Sequence, residues 1–191
     1  MSLVLLISGP AGVGKTTICN RLLDEFGNQL SRVITTTTRK PRKGEQNGKD
    51  YYFKKPEEFQ QLLQEEAFLE HEVIHGNYYG TTKREVFSSI RESKDILINI
   101  DVKGAKSLYQ EIEKNNEFNP NIVSIFLKPK DISVLKQRLI HRGSDNQEDI
   151  ERRIETAKSE LLSEDYFDHK IISNERERDY NLVREIYLNK I

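Results

Sequence analysis

Eight residues near the start of the chain, Gly9-Pro10-Ala11-Gly12-Val13-Gly14-Lys15-Thr16, constrain its fold more than any other stretch. They fit G-x-x-x-x-G-K-[ST], the phosphate-binding loop, whose glycines let the backbone turn tightly and bring its N–H groups against a polyphosphate. The pattern needs a strand before it and a helix after it, because the helix adds its positive N-terminal end. Leu3-Val4-Leu5-Leu6-Ile7 is a short apolar run suited to a buried parallel strand. Ile18, Leu22, Leu23 and Phe26 are spaced as one face of a helix. In that setting Lys15 reaches β- and γ-phosphate oxygens, and Thr16 offers a hydroxyl to Mg²⁺.

Apolar strands and amphipathic helices alternate along the remainder, which predicts an α/β fold around a parallel sheet. The candidate core strands are Leu3–Ile7, Ile96–Ile100, Ile122–Leu127 and Lys170–Ile172. The candidate core helices are Lys15–Glu25, Val102–Lys114, Asp149–Ser163 and Tyr180–Leu188, and Ile150, Ile154, Ala157 and Leu161 form a stripe on the third. Between the first helix and about Arg84 the pattern changes to a small inserted lobe. It opens with a threonine run, passes a basic turn and reaches Asp50-Tyr51-Tyr52-Phe53. A helix is expected from Pro56, and Thr82-Lys83-Arg84-Glu85 should cap the next one. Asn115–Asn121 reads as a surface loop.

Composition narrows the function. The 191 residues carry a net charge of −1, so no global field attracts nucleic acid. The lone Cys19 suits a reducing compartment and reads as a small buried side chain. The first apolar run is too short for a membrane span or a signal peptide, so a cytoplasmic, membrane-free protein is expected. His71 and His75 lack the further ligand that a zinc pattern needs.

Four constellations bear chemistry. Arg39-Lys40-Pro41-Arg42-Lys43-Gly44 reads either as an exposed basic loop or as two arginines gripping one phosphate by bidentate hydrogen bonds. Glu70 is a carboxylate able to accept two parallel hydrogen bonds, as guanine N1–H and its amine would donate, with Thr81 or Thr35 on the guanine O6; spacing alone favours an ordinary exposed carboxylate near a helix end. Asp101 follows the strand Ile96–Ile100, where it serves either near a nucleotide and its metal or as a helix cap. Arg138, Arg142, Arg152 and Arg153 surround a Gly143-Ser144-Asp145-Asn146 turn and read as a lid over phosphates or as routine partners of nearby glutamates. These residues alone reach a phosphate-loop kinase of a small phosphorylated acceptor.

Taken together the motifs resemble the guanylate kinase family over essentially the whole chain. The resemblance is carried by the phosphate loop, by Thr37-Thr38-Arg39-Lys40-Pro41-Arg42-Lys43-Gly44-Glu45, by Gly48-Lys49-Asp50-Tyr51-Tyr52-Phe53, by Phe68-Leu69-Glu70-His71 and by Gly76-Asn77-Tyr78-Tyr79-Gly80-Thr81. Ile100-Asp101-Val102-Lys103-Gly104-Ala105, Arg138-Leu139, Arg142-Gly143 and Ile171-Ile172-Ser173-Asn174 complete it. The resemblance implies a phosphate-loop NTPase-type parallel sheet flanked by helices, with core at about 1–31, 85–133 and 158–191. It adds a GMP-binding lobe at about 32–84 and a helical lid at about 134–157.

It further implies transfer of the ATP γ-phosphoryl group to GMP, with dGMP left open, by a monomer or a homodimer using Mg²⁺ with ATP. By position, Gly9, Pro10, Ala11, Gly12, Val13, Gly14, Lys15, Thr16 and Thr17 would bind ATP phosphates, Thr16 would meet Mg²⁺, and Asn174 would lie near the adenine. Thr35, Arg39, Arg42, Tyr51, Glu70, Tyr79, Thr81 and Asp101 would bind GMP. Lys15, Arg39, Arg42, Arg138, Arg142 and Arg153 would be catalytic. The chain departs from the family at Thr35, usually serine, at Ala11, at Asn99 in place of aspartate, at Pro129-Lys130 and at Asn174-Glu175-Arg176. Another sugar-phosphate or nucleotide kinase, a phosphopeptide-binding scaffold module and an RNA-binding protein are the rival readings; the intact Lys15 and Thr16 argue against the scaffold.

Overall fold

The computed structural model describes residues 3–74, 76–91, 94–114, 121–142 and 147–190. Its first strand, β1 (Leu3–Ser8), is buried throughout, and successive side chains alternate between two cores. Leu3, Leu5 and Ile7 face α1 (Lys15–Phe26), while Val4 and Leu6 face the opposite side. A strand covered on both faces has no polar alternation, which is why it reads as a continuous apolar run.

The central sheet also holds β2 (Leu30–Arg32), β7 (Asp95–Asn99), β8 (Asn121–Pro129) and β9 (His169–Ser173), all parallel, in the order β2-β7-β1-β8-β9. The core on the α1 side is completed by α5 (Ile132–Arg142), α6 (Gln147–Leu161) and α7 (Arg176–Leu188). The other face is covered by α3 (Lys83–Arg91) and α4 (Val102–Lys114). The parallel α/β architecture expected from the sequence is therefore present.

A second sheet projects from this core. It pairs β3 (Thr36–Thr37), β4 (Tyr52–Phe53), β5 (Phe68–Ile74) and β6 (Asn77–Thr82) in the order β4-β3-β6-β5, with α2 (Pro56–Gln64) beside it. The threonine run ties it together: Thr37 Oγ1 donates to the Tyr78 carbonyl at 2.9 Å, and Thr38 Oγ1 accepts the Tyr78 N–H at 2.9 Å. The helix expected from Pro56 begins there, and Thr82 Oγ1 accepts the Glu85 N–H at 3.3 Å to open α3.

Three differences from the expected elements have local causes. β2 is only three residues long and shows no periodicity. α5 was absent from the candidate core helices; Asp131 starts it by accepting the Ser133 N–H at 2.7 Å, and Leu135 and Leu139 bury it. α7 begins four residues before Tyr180, in the polar turn Arg176-Glu177-Arg178-Asp179, which offers no apolar spacing to read. The loop expected at Asn115–Asn121 and the turn at 143–146 fall largely or wholly outside the described residues, as does His75. His71 lies on β5.

No helix among the described residues is long and apolar enough to cross a membrane. The bases of β1, β7 and α7 meet at Asp95, whose carboxylate accepts the Leu3 N–H at 2.8 Å and the hydroxyl of fully buried Tyr187 at 2.9 Å. Tyr187→Phe removes one of these donors and should lower the unfolding free energy by about 1–3 kcal/mol in urea denaturation. An unchanged midpoint would contradict a structural role for this hydrogen bond.

Candidate active site

The phosphate loop lies at the carboxyl end of the parallel sheet, where open α/β folds place their ligands. Its backbone is left-handed at Gly14 (φ 118°), and no side chain caps the start of α1. The helix's first N–H groups have no intrahelical acceptors, so they face the cleft as anion donors. The loop's carbonyls are engaged on its own side. Lys15 Nζ donates to the Gly9 carbonyl and, at 3.1 Å, to the Pro10 carbonyl. Arg138 Nη1 donates to the Val13 carbonyl at 3.1 Å and to the Gly12 carbonyl at 3.4 Å. Ser173, buried at the end of β9, donates its hydroxyl to the same Val13 carbonyl at 2.9 Å.

Across the cleft stand residues of the second sheet and the basic turn. Arg39 is not an exposed loop residue: its side chain retains 13% exposure, and Nη2 pairs with Glu45 Oε1 at 2.9 Å. Glu45 Oε2 accepts the Arg42 N–H at 2.7 Å, so one carboxylate sets both arginines. Burial works against the Glu45 charge, but these donors win and hold its carboxyl below the usual range. The Arg39 guanidinium lies 5.3 Å from the Tyr51 ring centroid, and Tyr51 meets Tyr79 edge-on at 6.1 Å. Arg39, Arg42, Tyr51 and Tyr79 thus converge on one wall of a single cavity, with Gly9, Ala11, Gly12, Gly14, Lys15, Thr16 and Thr17 on another.

Glu70 is the main correction to the expected environment. It is not an exposed helix-end carboxylate but a β5 residue with 5% exposure. A β-bulge between Phe68 and Glu70 breaks the alternation, so Phe68, Leu69 and Glu70 are all buried. Glu70 pairs with Thr81 on β6, and Thr35 lines the same cavity. Burial pushes the Glu70 carboxyl up to about 8; the Asp101 and Glu72 charges add to the rise, and the Thr81 hydroxyl and N–H oppose it.

Asp101 fulfils the capping role, accepting the Gly104 N–H at 2.7 Å, and also lines the cavity. Asn99 Nδ2 donates to Thr16 Oγ1 at 3.4 Å, so the amide holds the hydroxyl that the loop motif reserves for a cation. From the helical layer, α6 contributes Arg153, Thr156 and Glu160, spaced to share one helical face. Glu160 was not anticipated. Burial raises its carboxyl to about 7, with Lys15 and Lys103 opposing and Asp101 adding.

A second cavity behind the loop shares Gly12, Gly14 and Thr17 with the first, and Arg138, His141 and Asn174 line it. Asp179 anchors that rim by accepting the Asn174 N–H at 3.0 Å. Pro10 contributes its carbonyl and Val13 packs into the core beneath the loop. Arg142 ends α5, and its side chain is outside the described set. The residues that sequence reasoning passed over are Glu45, Ser173 and Glu160. Glu45 had a signal in its place three residues after Arg42, and Glu160 had one in its helical register with Arg153; Ser173 had none beyond its neighbour Asn174.

A phosphate cradle at the end of a parallel sheet, faced by two arginines in the turn between β3 and β4 of a separate sheet, defines a phosphate-loop kinase whose acceptor is itself an anion. The family pattern described as "Guanylate kinase" matches residues 1–189. The chain belongs to the guanylate kinase family, whose members are nucleoside monophosphate kinases. The guanylate kinase of Rickettsia bellii is 41% identical over 179 residues, spanning 94% of this chain and 87% of that protein. That of Campylobacter jejuni (strain RM1221) is 38% identical over 185 residues, spanning 97% and 87%. The crystal structure of guanylate kinase from Anaplasma phagocytophilum superposes with a TM-score of 0.78 at 26% identity, covering 99% of this chain and 86% of that one.

The buried carboxylate has a measurable signature. An NMR titration of the unliganded protein should place the Glu70 carboxyl midpoint near 8, against an ordinary 4.5. The folded form holds this proton more tightly than the unfolded form, so the Glu70 contribution is most favourable below 4.5 and falls as pH rises through 8. A midpoint near 4.5 would contradict the burial described here.

Proposed function

We propose how this chain's residues divide the work of ATP-dependent GMP phosphorylation, the activity of its family, which yields ADP and GDP. The carrying observation is the single cavity that has the phosphate cradle on one wall and Glu70 with Arg39, Arg42, Tyr51 and Tyr79 on the other. ATP phosphates lie on the loop from Gly9 to Thr17, with Lys15 on the β- and γ-oxygens and the adenine towards Asn174. The GMP phosphate is gripped by Arg39 and Arg42, with the Tyr51 and Tyr79 hydroxyls beside them. Glu70 accepts from guanine N1–H and the exocyclic amine, and Thr35 and Thr81 serve O6. Adenine presents an acceptor at N1 where guanine presents a donor, and so opposes the ionised form of Glu70 with a lone pair, a mismatch that polar sites reject strongly.

The acceptor oxygen belongs to a phosphate monoester, largely ionised near neutral pH because its second pKa is about 6. No general base is required; the difficulty is bringing two anions into line. The acceptor oxygen bonds to the γ-phosphorus as the bond to the β,γ-bridging oxygen breaks, and ADP departs with that electron pair. Lys15, Arg39, Arg42 and the lid arginines Arg138, Arg142 and Arg153 stabilise the charge that spreads over the transferring group. The donor set fits Mg²⁺ carried in with ATP: the Thr16 hydroxyl, steadied by Asn99, and Asp101 line the same cavity, and hard cations take oxygen ligands. Mg²⁺, when bound, neutralises charge on the β- and γ-phosphates. We assign residues at about 32–84 to the GMP lobe and about 134–157 to a lid that closes to exclude water. We place the protein in the cytoplasm, in keeping with its single, fully buried thiol.

ADP formation should appear with GMP and not with AMP, CMP, UMP or no acceptor. Silence across the panel from folded protein would overturn the assignment. Arg42→Lys keeps the charge but loses the planar fork, and should cost on the order of 10³-fold in rate. Normal turnover in this variant would remove Arg42 from the phosphate grip.

A further inference from the structure

The first turn of α4 carries a glycine that its backbone does not need. Gly104 lies within a regular helix, where glycine is a poorer choice than alanine. Space explains it. A Cβ at this position would stand 3.0 Å from Glu70 Oε2 and 2.7 Å from both Cδ1 and Cγ1 of Ile100. The Gly104 N–H meanwhile holds Asp101 Oδ1 at 2.7 Å. Glu70, Ile100 and Asp101 all line the cavity, so three of its residues converge on one missing side chain.

The other neighbours of Glu70 leave it little freedom. The bulge in β5 turns it inward beside Thr81, and its side chain is almost fully buried. A methyl group at 104 must push Ile100 aside and press on Oε2. Paired hydrogen bonds to a planar base tolerate little of this, because they weaken steeply as angles depart from linearity.

We infer that Gly104 is a positioning residue for base recognition: the volume left by its absent side chain sets where the Glu70 carboxylate sits, and thereby the fit of guanine. The inference rests on the reading of Glu70 as the group that recognises the base. Gly104 touches no substrate; it acts through Glu70.

Steady-state kinetics of Gly104→Ala, Glu70→Asp and the double variant test it, with thermal unfolding run alongside. Gly104→Ala should raise KM for GMP about tenfold, within the scale set by sub-ångström misplacement, and leave KM for ATP and kcat near their starting values. Glu70→Asp alone should also raise KM for GMP. Adding Gly104→Ala to Glu70→Asp should then change KM for GMP less than about twofold, because the shorter side chain no longer reaches the new methyl group. Should Gly104→Ala fold poorly, Gly104→Ala with Ile100→Val removes the Cδ1 contact, and the same GMP-selective rise is expected. Equal rises for both substrates, or an undiminished effect in the Glu70→Asp background, would overturn the inference and leave Gly104 a packing residue. Unchanged KM for GMP in Glu70→Asp would instead overturn the base-reading role of Glu70, and the inference with it.

Discussion

The phosphate loop can offer its N–H groups to a ligand only if its carbonyls are tied down elsewhere, and much of the structure follows from how that is done. At the loop's entry Gly9 (φ 135°) passes so close to β8 that a Cβ would stand 2.1 Å from the Leu127 carbonyl oxygen. Only glycine permits this approach, and it sets the loop directly over the β1–β8 pair. The Gly9 and Pro10 carbonyls engage Lys15, and the Val13 carbonyl is shared by Arg138 from α5 and Ser173 from β9. The loop is thus fixed against β8, β9 and α5.

Charge in the cleft is arranged against the same problem. Lys15, Arg39, Arg42 and Arg153 line the cleft, and Glu70, Asp101 and Glu160 line it too. Burial opposes the charged form of Glu70 and Glu160, which limits the negative field presented to incoming anions. For Glu70 the cost of a buried carboxylate is offset by donors, and in the base-reading role proposed for it guanine supplies two. In that role recognition of the base and loss of the Glu70 proton are one event. Glu45 works in the other sense: one of its oxygens accepts from the Arg39 guanidinium and the other from the Arg42 backbone N–H, so a single carboxylate fixes both positions.

What the sequence made legible was local. Strand, loop and helix from Leu3 to Phe26 are contiguous, and their periodicity reports burial directly. The parallel sheet followed from fully apolar runs such as Ile96–Ile98, and the capping signals at Pro56 and Thr82 marked true helix starts. Long-range contacts stayed hidden. Glu70 read as an exposed carboxylate because its burial depends on a β-bulge and on the close approach of α4, neither of which leaves a periodic trace. By spacing, Arg39 and Arg42 are indistinguishable from a solvated basic loop; what distinguishes them is the packing of Glu45 and Tyr51 around them. Ser173 meets Val13 across 160 positions of sequence, a separation that no spacing rule spans. The family motifs point to Glu70, Arg39 and Arg42 by position; the geometry shows what surrounds each of them.

In the base-reading role proposed for it, Glu70 passes from protonated in the empty cleft to ionised when it holds guanine. Calorimetric titration of GMP at pH 7, in buffers of differing ionisation enthalpy, counts protons exchanged on binding. Release of nearly one proton is expected, falling close to zero in Glu70→Gln. Binding without proton release in the unaltered protein would contradict that role.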